Sequence, residues 1–111
     1  EDPHQLVTGV IVVRKAVLDE HPEAVERFLA LYSDSINYIN NNVEEGAALV
    51  EKYGIVPSAA IAQKAIPQCN IVYMDGEDMK ANVQAYLQVL FDANPASVGG
   101  AMPNDDFYYL P

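Results

Sequence analysis

Two kinds of apolar pattern alternate with polar residues along this chain. Leu6–Val13 (LVTGVIVV) is a nearly continuous apolar run rich in β-branched residues, with Thr8 and Gly9 as its interruptions. A run that is apolar on both faces predicts a strand buried on both sides, as in a parallel sheet covered by helices. Farther along, apolar residues recur at spacings of three and four, which predicts helices.

The longest predicted helix opens at Pro22, a residue suited to the first helical position, and Glu23 beside it complements the helix dipole. Its polar end is the run of asparagines that finishes at Asn42. We expect Asn42 to cap a second helix as well, with Glu45 three residues on in an arrangement resembling a capping box. Gly54 is the predicted stop of that second helix.

Two more helices are predicted in the second half of the chain. One runs from about Ser58 to Ala65, and the last begins after Asp75, a good N-cap, and ends at Asn94-Pro95. A short helical turn at residues 14–18 precedes all four helices.

One strong strand and four helices make an unbalanced set. Ile71–Tyr73 is either a second, short strand or an extended connector. Because a lone buried strand leaves backbone N–H and C=O groups unpaired, we expect Leu6–Val13 to pair with a second copy or with the remainder of the same protein. The predicted fold class is therefore α/β, a helix-rich fragment of a larger protein. The apolar tail Phe107–Leu110 agrees with this, since Gly99-Gly100 lets the chain reverse so that the tail docks on a surface.

Composition narrows the function. A length of 111 residues suits one domain, residues 1–111. Sixteen acidic and six basic residues give a net charge of −10, which argues against a nucleic-acid partner and against an anionic membrane surface. Solubility is the simpler interpretation of this acidity. Cys69 is the single cysteine, so no intrachain disulfide forms.

Catalytic and metal-binding patterns are missing from the sequence. His4, His21 and Cys69 are far apart, with neither an HxxxH nor a CxxC motif, so no metal site is predicted. The paired carboxylates stand at helix starts or in polar loops, where ionised side chains are stable, and we interpret them as surface rather than as catalytic pairs. We expect no enzyme activity, no catalytic residue and no cofactor.

Tyrosine accounts for seven of the ten aromatic residues. Four tyrosines fall on or beside helical apolar stripes and are predicted to be core residues: Tyr32, Tyr38, Tyr53 and Tyr86. For Tyr73, Tyr108 and Tyr109 the sequence leaves core, ligand pocket and interface open.

Two segments together resemble a known family. The stretch VIVVRKAVLDEHPEAVERFLALYSDSINYINNNVEEGAALV is similar to the C-terminal part of bacterial ABC-importer substrate-binding proteins of the nitrate/sulfonate/taurine and thiamine-pyrimidine-precursor type. The shared pattern is an apolar strand, a basic-acidic turn, "hP-E-x-V" at His21–Val25, and "Y-I-N-x-N" from Tyr38. The closing segment Asn94–Tyr109 resembles the same group. The two matches cover nearly the whole chain.

The resemblance implies a two-domain type II periplasmic-binding-protein fold. It also implies a small-molecule solute held in an interdomain cleft, delivery to an ABC permease, and no catalysis. The implied location is periplasmic or extracellular, with a membrane-anchored lipoprotein as one form. Thr8 and Gly9 are the predicted ligand contacts, since ligands in open α/β sheets lie off strand ends and this pair sits where the strand would emerge. The alternative is a hinge glycine and an internally satisfied threonine, which is the commoner situation.

Two other interpretations stay open at this point. A self-contained acidic helical protein-interaction module would be complete as a monomer without an unpaired strand. A fragment of a catalytic domain is compatible with the same fold, but would need a convergent set of acid, base or nucleophile.

Overall fold

The computed structural model describes residues 6–111, and every regular element in that range is helical. The five α-helices are α1 (Lys15–Glu20), α2 (Pro22–Asn41), α3 (Val43–Lys52), α4 (Ala59–Ala65) and α5 (Gly76–Ala93). Short 3₁₀ turns lie at Ile66–Gln68, Pro95–Val98 and Asp105–Phe107. The chain divides into two compact units. We call Val13–Tyr73 the α1–α4 unit, and residues 6–12 with Met74–Pro111 the α5 unit.

The α/β prediction is wrong, because residues 6–111 contain no strand. Leu6–Val13 has neither helical nor strand structure, and its side chains are largely exposed, Val12 by 80%. β-Branched residues favour an extended backbone, but a strand also requires a neighbouring ladder to accept its hydrogen bonds. No described segment supplies that ladder. Ile71–Tyr73 is likewise an extended connector rather than a strand.

Helix α2 begins and ends where predicted, but the role of Asn42 differs from the prediction. Pro22 is its first residue, and Val25 and Ile36 are its buried side chains. At the other end, the backbone N–H of Asn42 donates to the Tyr38 carbonyl at 2.8 Å and the Asn42 side-chain amide donates to the same oxygen at 3.1 Å. The Asn42 side chain therefore closes α2 and does not cap α3, so the predicted capping box is absent.

The predicted stop at Gly54 is confirmed. Gly54 has φ of +71°, its N–H donates to the Glu51 carbonyl at 3.0 Å, and the N–H of Ile55 donates to the Val50 carbonyl at 3.0 Å. This is the Schellman pattern, in which a left-handed glycine lets the last carbonyls of a helix find donors. The Glu51 carboxylate then accepts the N–H of Ala59 at the start of α4, which links the two helices.

The core of the α1–α4 unit is built on small side chains. Ala47 of α3 and Ala62 of α4 are almost fully buried and meet Ile66 of the following 3₁₀ turn. Larger side chains surround them in part: Ile39, Val43, Val50, Val56 and Ile71. Gly46 is buried against Ile39 of α2, and a β-carbon there would displace the Ile39 side chain. Close helix approach therefore depends on the small residues at these positions.

The α5 unit is a long helix followed by a folded-back tail. The predicted apolar stripe of α5 is half-buried throughout: Met79, Val83, Tyr86, Leu87, Leu90 and Phe91. Beyond the helix, the Ser97 hydroxyl donates to the carbonyls of Leu90 at 3.1 Å and Asn94 at 2.7 Å. Gly99 and Gly100 both have positive φ, so the reversal expected there is confirmed.

We predict that Ala47→Leu destabilises the chain. Ala47 is 1% exposed, so three added carbon atoms have no free volume to enter, and overpacking of this kind costs about 1–3 kcal/mol. The measurement is the free energy of unfolding by urea, followed by circular dichroism. Ala48→Leu is the matched control, since Ala48 is exposed on the same helix and should change the stability by less than about 0.5 kcal/mol. Equal effects of the two substitutions would contradict the assignment of the core.

Candidate functional site

The predicted ligand contacts lie on an open segment. Thr8 and Gly9 belong to residues 6–13, which form neither helix nor strand, and both are exposed. Nothing lies within 4 Å of the position that a Gly9 β-carbon would occupy. Within residues 6–111 no hydrogen bond holds Thr8. The described part of the chain therefore brings no further group to this pair, and any ligand they touch would have to be enclosed by another surface.

A polar cluster has formed instead in the α5 unit, where the tail returns to the helix. The Lys80 ammonium of α5 pairs with the Asp105 carboxylate at 3.0 Å and stands 5.9 Å from the centre of the Tyr108 ring. Tyr108 is 7% exposed, and Phe107 packs against its ring edge to face at 5.2 Å. The side chain of Asn104 accepts the N–H of Asp106 at 3.1 Å and so starts the 3₁₀ turn that positions Asp105.

The pKa shifts of Lys80 and Tyr108 both favour the protonated form of these two groups near neutral pH. The hydrogen bond to Asp105 raises the pKa of Lys80, so its amine stays charged. Burial raises the pKa of Tyr108, so its phenol stays neutral. A general base must give up its own proton near the working pH, and neither group does so. The cluster is an anchor that fixes the tail by ring burial and a cation–π contact.

The Tyr108 hydroxyl is buried and has no hydrogen-bond partner in the described chain. A buried polar group without a partner costs about 1–3 kcal/mol. Tyr108 thus stabilises the α5 unit through its ring, while its hydroxyl works against folding. The sequence left the role of Tyr108 open, and a tyrosine between two other aromatic or apolar residues gives no periodic signal for burial.

Aromatic side chains of the α1–α4 unit form a second cluster. Phe28 and Tyr32 stack one helical turn apart with centroids at 5.9 Å, and Tyr73 lies 6.1 Å from Tyr32. The prediction of core positions is wrong for Tyr32, Tyr38 and Tyr53, since all three are exposed. At these positions helical spacing alone does not separate core from surface.

Residues 6–111 contain neither a metal-binding cluster nor a membrane-spanning helix. No group of three or more His, Cys, Asp or Glu side chains is placed to hold a metal ion. Cys69 is an exposed free thiol. His4 lies outside the described residues. Among the described helices, none combines the length and apolar character needed to cross a membrane.

Comparisons with known proteins give no relative for this chain. No model of a protein family, no curated protein and no solved structure matches it. The resemblance to substrate-binding proteins therefore rests on the two quoted segments.

We predict that Tyr108→Phe is neutral or stabilising at pH 7, by up to about 1 kcal/mol, because it removes an unpartnered hydroxyl and keeps the ring. The substitution should also change the alkaline behaviour. A raised pKa means that the stability contributed by the neutral phenol is complete below a pH of about 10 and is lost as pH rises through the folded-state pKa. Urea unfolding at pH 7, 9 and 10.5 measures both effects.

Tyr109→Phe is the matched control, since Tyr109 is next in the chain and only half-buried. We expect it to keep the wild-type loss of stability between pH 9 and 10.5, whereas the Tyr108 variant loses less. A destabilisation of more than about 1 kcal/mol by Tyr108→Phe at pH 7 would mean that the hydroxyl has a stabilising partner.

Proposed function

We propose that this chain is part of the solute-binding component of a bacterial ABC importer. It would take part in capturing a small polar or aromatic solute and in delivering it to the permease, without catalysing a reaction. The support comes from the residues of the chain itself.

The observation that carries the proposal is the local role of the patterned residues. In the first segment, Pro22 starts α2 and Val25 is buried, so "hP-E-x-V" is a helix start with its first core contact. In the closing segment, Asn94 ends α5 and Tyr108 anchors the returning tail. Because these residues start a helix, end a helix or anchor the tail, we interpret the resemblance to substrate-binding proteins as a similarity of structure rather than of composition alone.

The exposed segment Leu6–Val13 gives the proposal its second support. Most of its eight residues are apolar and exposed, Leu6 by 72%. Covering such a segment is favourable, since it removes apolar surface from water. We propose that it docks on the remainder of the same protein or on a second copy. Thr8 and Gly9 would then face a ligand from the docked segment.

We predict that the natural polypeptide carrying this chain binds a solute and that the 111-residue chain alone does not. A solute held between two surfaces gains its affinity from burial by both, and each ~1.4 kcal/mol lost weakens binding tenfold. Isothermal titration calorimetry with taurine, nitrate and 4-amino-2-methylpyrimidine measures this for both proteins. Equal affinity would contradict the dependence on a second surface, and no binding to the natural polypeptide would contradict the function.

Variants of the natural polypeptide test the two predicted contacts. Thr8→Val removes the hydroxyl at nearly constant volume, and we expect about a tenfold loss of affinity, as for one lost hydrogen bond. Thr8→Ser keeps the hydroxyl and should bind nearly as well as the wild type. Unchanged affinity of the valine variant would remove Thr8 from the site.

One observation favours a second candidate, the acidic helical protein-interaction module. Every regular element of residues 6–111 is helical, and α2 carries large exposed apolar side chains, among them Phe28 and Leu31. Surfaces of this kind mark interfaces with other proteins. The same calorimetry separates the two candidates, since an interaction module binds none of the three solutes in either form of the protein.

A further inference from the structure

A second apolar face runs along α2, beside the face that packs into the unit. Its members alternate at spacings of four and three residues, the pattern with which two helices pack side by side: Ala24, Phe28, Leu31, Ser35 and Tyr38. All five are exposed, Phe28 by 49% and Leu31 by 61%. We call this face the α2 seam.

The α2 seam lies beside the face that packs into the unit, and Phe28 belongs to both, since its exposed ring also stacks on Tyr32. Val25 and Ile36, on the neighbouring face of the helix, are the buried residues of α2. Leu29 and Ile39 on that side are half-buried. The helix therefore has one apolar face for its own core and another with apolar side chains in solvent.

We propose that the α2 seam is a homodimer interface, in which a second copy of the chain packs its α2 antiparallel to the first. The two-fold axis lies between Phe28 and Leu31, so that Phe28 of each copy packs against Leu31 of the other. Ala24 of each copy lies against Ser35 of the other in the flanking layers, where small residues let the helices stay close. The contact is isologous, because the same patch serves both copies.

Charges beside the seam select this register. Arg27 and Asp34 flank the seam on one side, seven residues apart, and both are exposed. Neither forms an ion pair within residues 6–111. In the proposed register Arg27 of each copy lies beside Asp34 of the other, which gives two attractive pairs. Sliding one helix by seven residues either way sets Asp34 against Asp34 or Arg27 against Arg27, and like charges oppose those registers.

A parallel pairing lacks these advantages. It would place Phe28 against Phe28 and Ser35 against Ser35. Two large side chains would then meet in one layer of the contact and two small ones in another. The flanking positions would bring Arg27 next to Tyr32 of the other copy, with no opposite charge at hand. Both side-chain size and charge therefore favour the antiparallel arrangement.

Charge exchange tests the proposal on exposed residues. In sedimentation equilibrium at 0.15 M salt, where the net repulsion of the copies is screened beyond about 8 Å, we expect the wild type to form a reversible dimer. Arg27→Asp and Asp34→Arg should each raise the dissociation constant about tenfold, because each turns two attractive pairs into repulsive ones. The double variant R27D/D34R should recover the wild-type value. An equimolar mixture of the two single variants should form a heterodimer.

Leu31→Lys tests the apolar part of the contact and should abolish dimerisation. Ala30→Lys is its control, an exposed position of α2 away from the seam, and should leave the dimer intact. Circular dichroism checks that each variant keeps its helix content. A wild type that stays monomeric up to about 1 mM overturns the proposal. A dimer that is insensitive to Leu31→Lys, or is not recovered in the double charge variant, overturns it as well.

Discussion

Local backbone hydrogen bonding is the constraint on which the described structure depends. A helix closes its N–H and C=O groups within its own segment, so α1–α5 need no sheet. Leu6–Val13 would need a neighbouring strand for the same groups, and no described segment offers one. The polar backbone is thus largely satisfied by short-range contacts. Large side chains, in contrast, find few partners, and the buried hydrophobic set is small: Val25, Ile36, Ala47, Ala62, Ile66 and Tyr108.

Helical spacing predicted much of this fold from the sequence, because helix periodicity and helix ends are local properties. The start of α2 at Pro22, the stop at Gly54 and the half-buried stripe of α5 followed from residues a few positions apart. The prediction of a strand at Leu6–Val13 failed because a strand forms only when a second segment pairs with it. A single apolar run does not show whether such a segment is present. The predicted capping of α3 by Asn42 failed for a different reason. Asn42 lies between the end of α2 and the start of α3, and its side-chain amide donates to a carbonyl of α2.

The candidate site was less predictable than the fold. Lys80, Asp105 and Tyr108 come together because two glycines reverse the chain and a 3₁₀ turn aims the tail, and no spacing along the sequence encodes that meeting. The ring and the hydroxyl of Tyr108 also have different roles. The ring of Tyr108 anchors the tail by burial, and the same burial holds its phenol in the neutral form. Tyr108 and its neighbour Lys80 both have raised pKa values, so both retain a proton, and the geometry around them is that of a structural contact.

Exposed apolar surface and acidity act together in deciding what this chain associates with. Apolar side chains on α2 and on Leu6–Val13 favour association, whereas a net charge of −10 opposes it between any two copies. At physiological salt that repulsion is screened beyond about 8 Å, so it acts mainly when two copies are already close together. A contact then forms only where apolar residues meet at short range and opposite charges are in register. Leu6–Val13 carries no charge of its own, so charge cannot select what covers it. Helix α2 has Arg27 and Asp34 beside its exposed apolar side chains, so charge can select the register of a contact there.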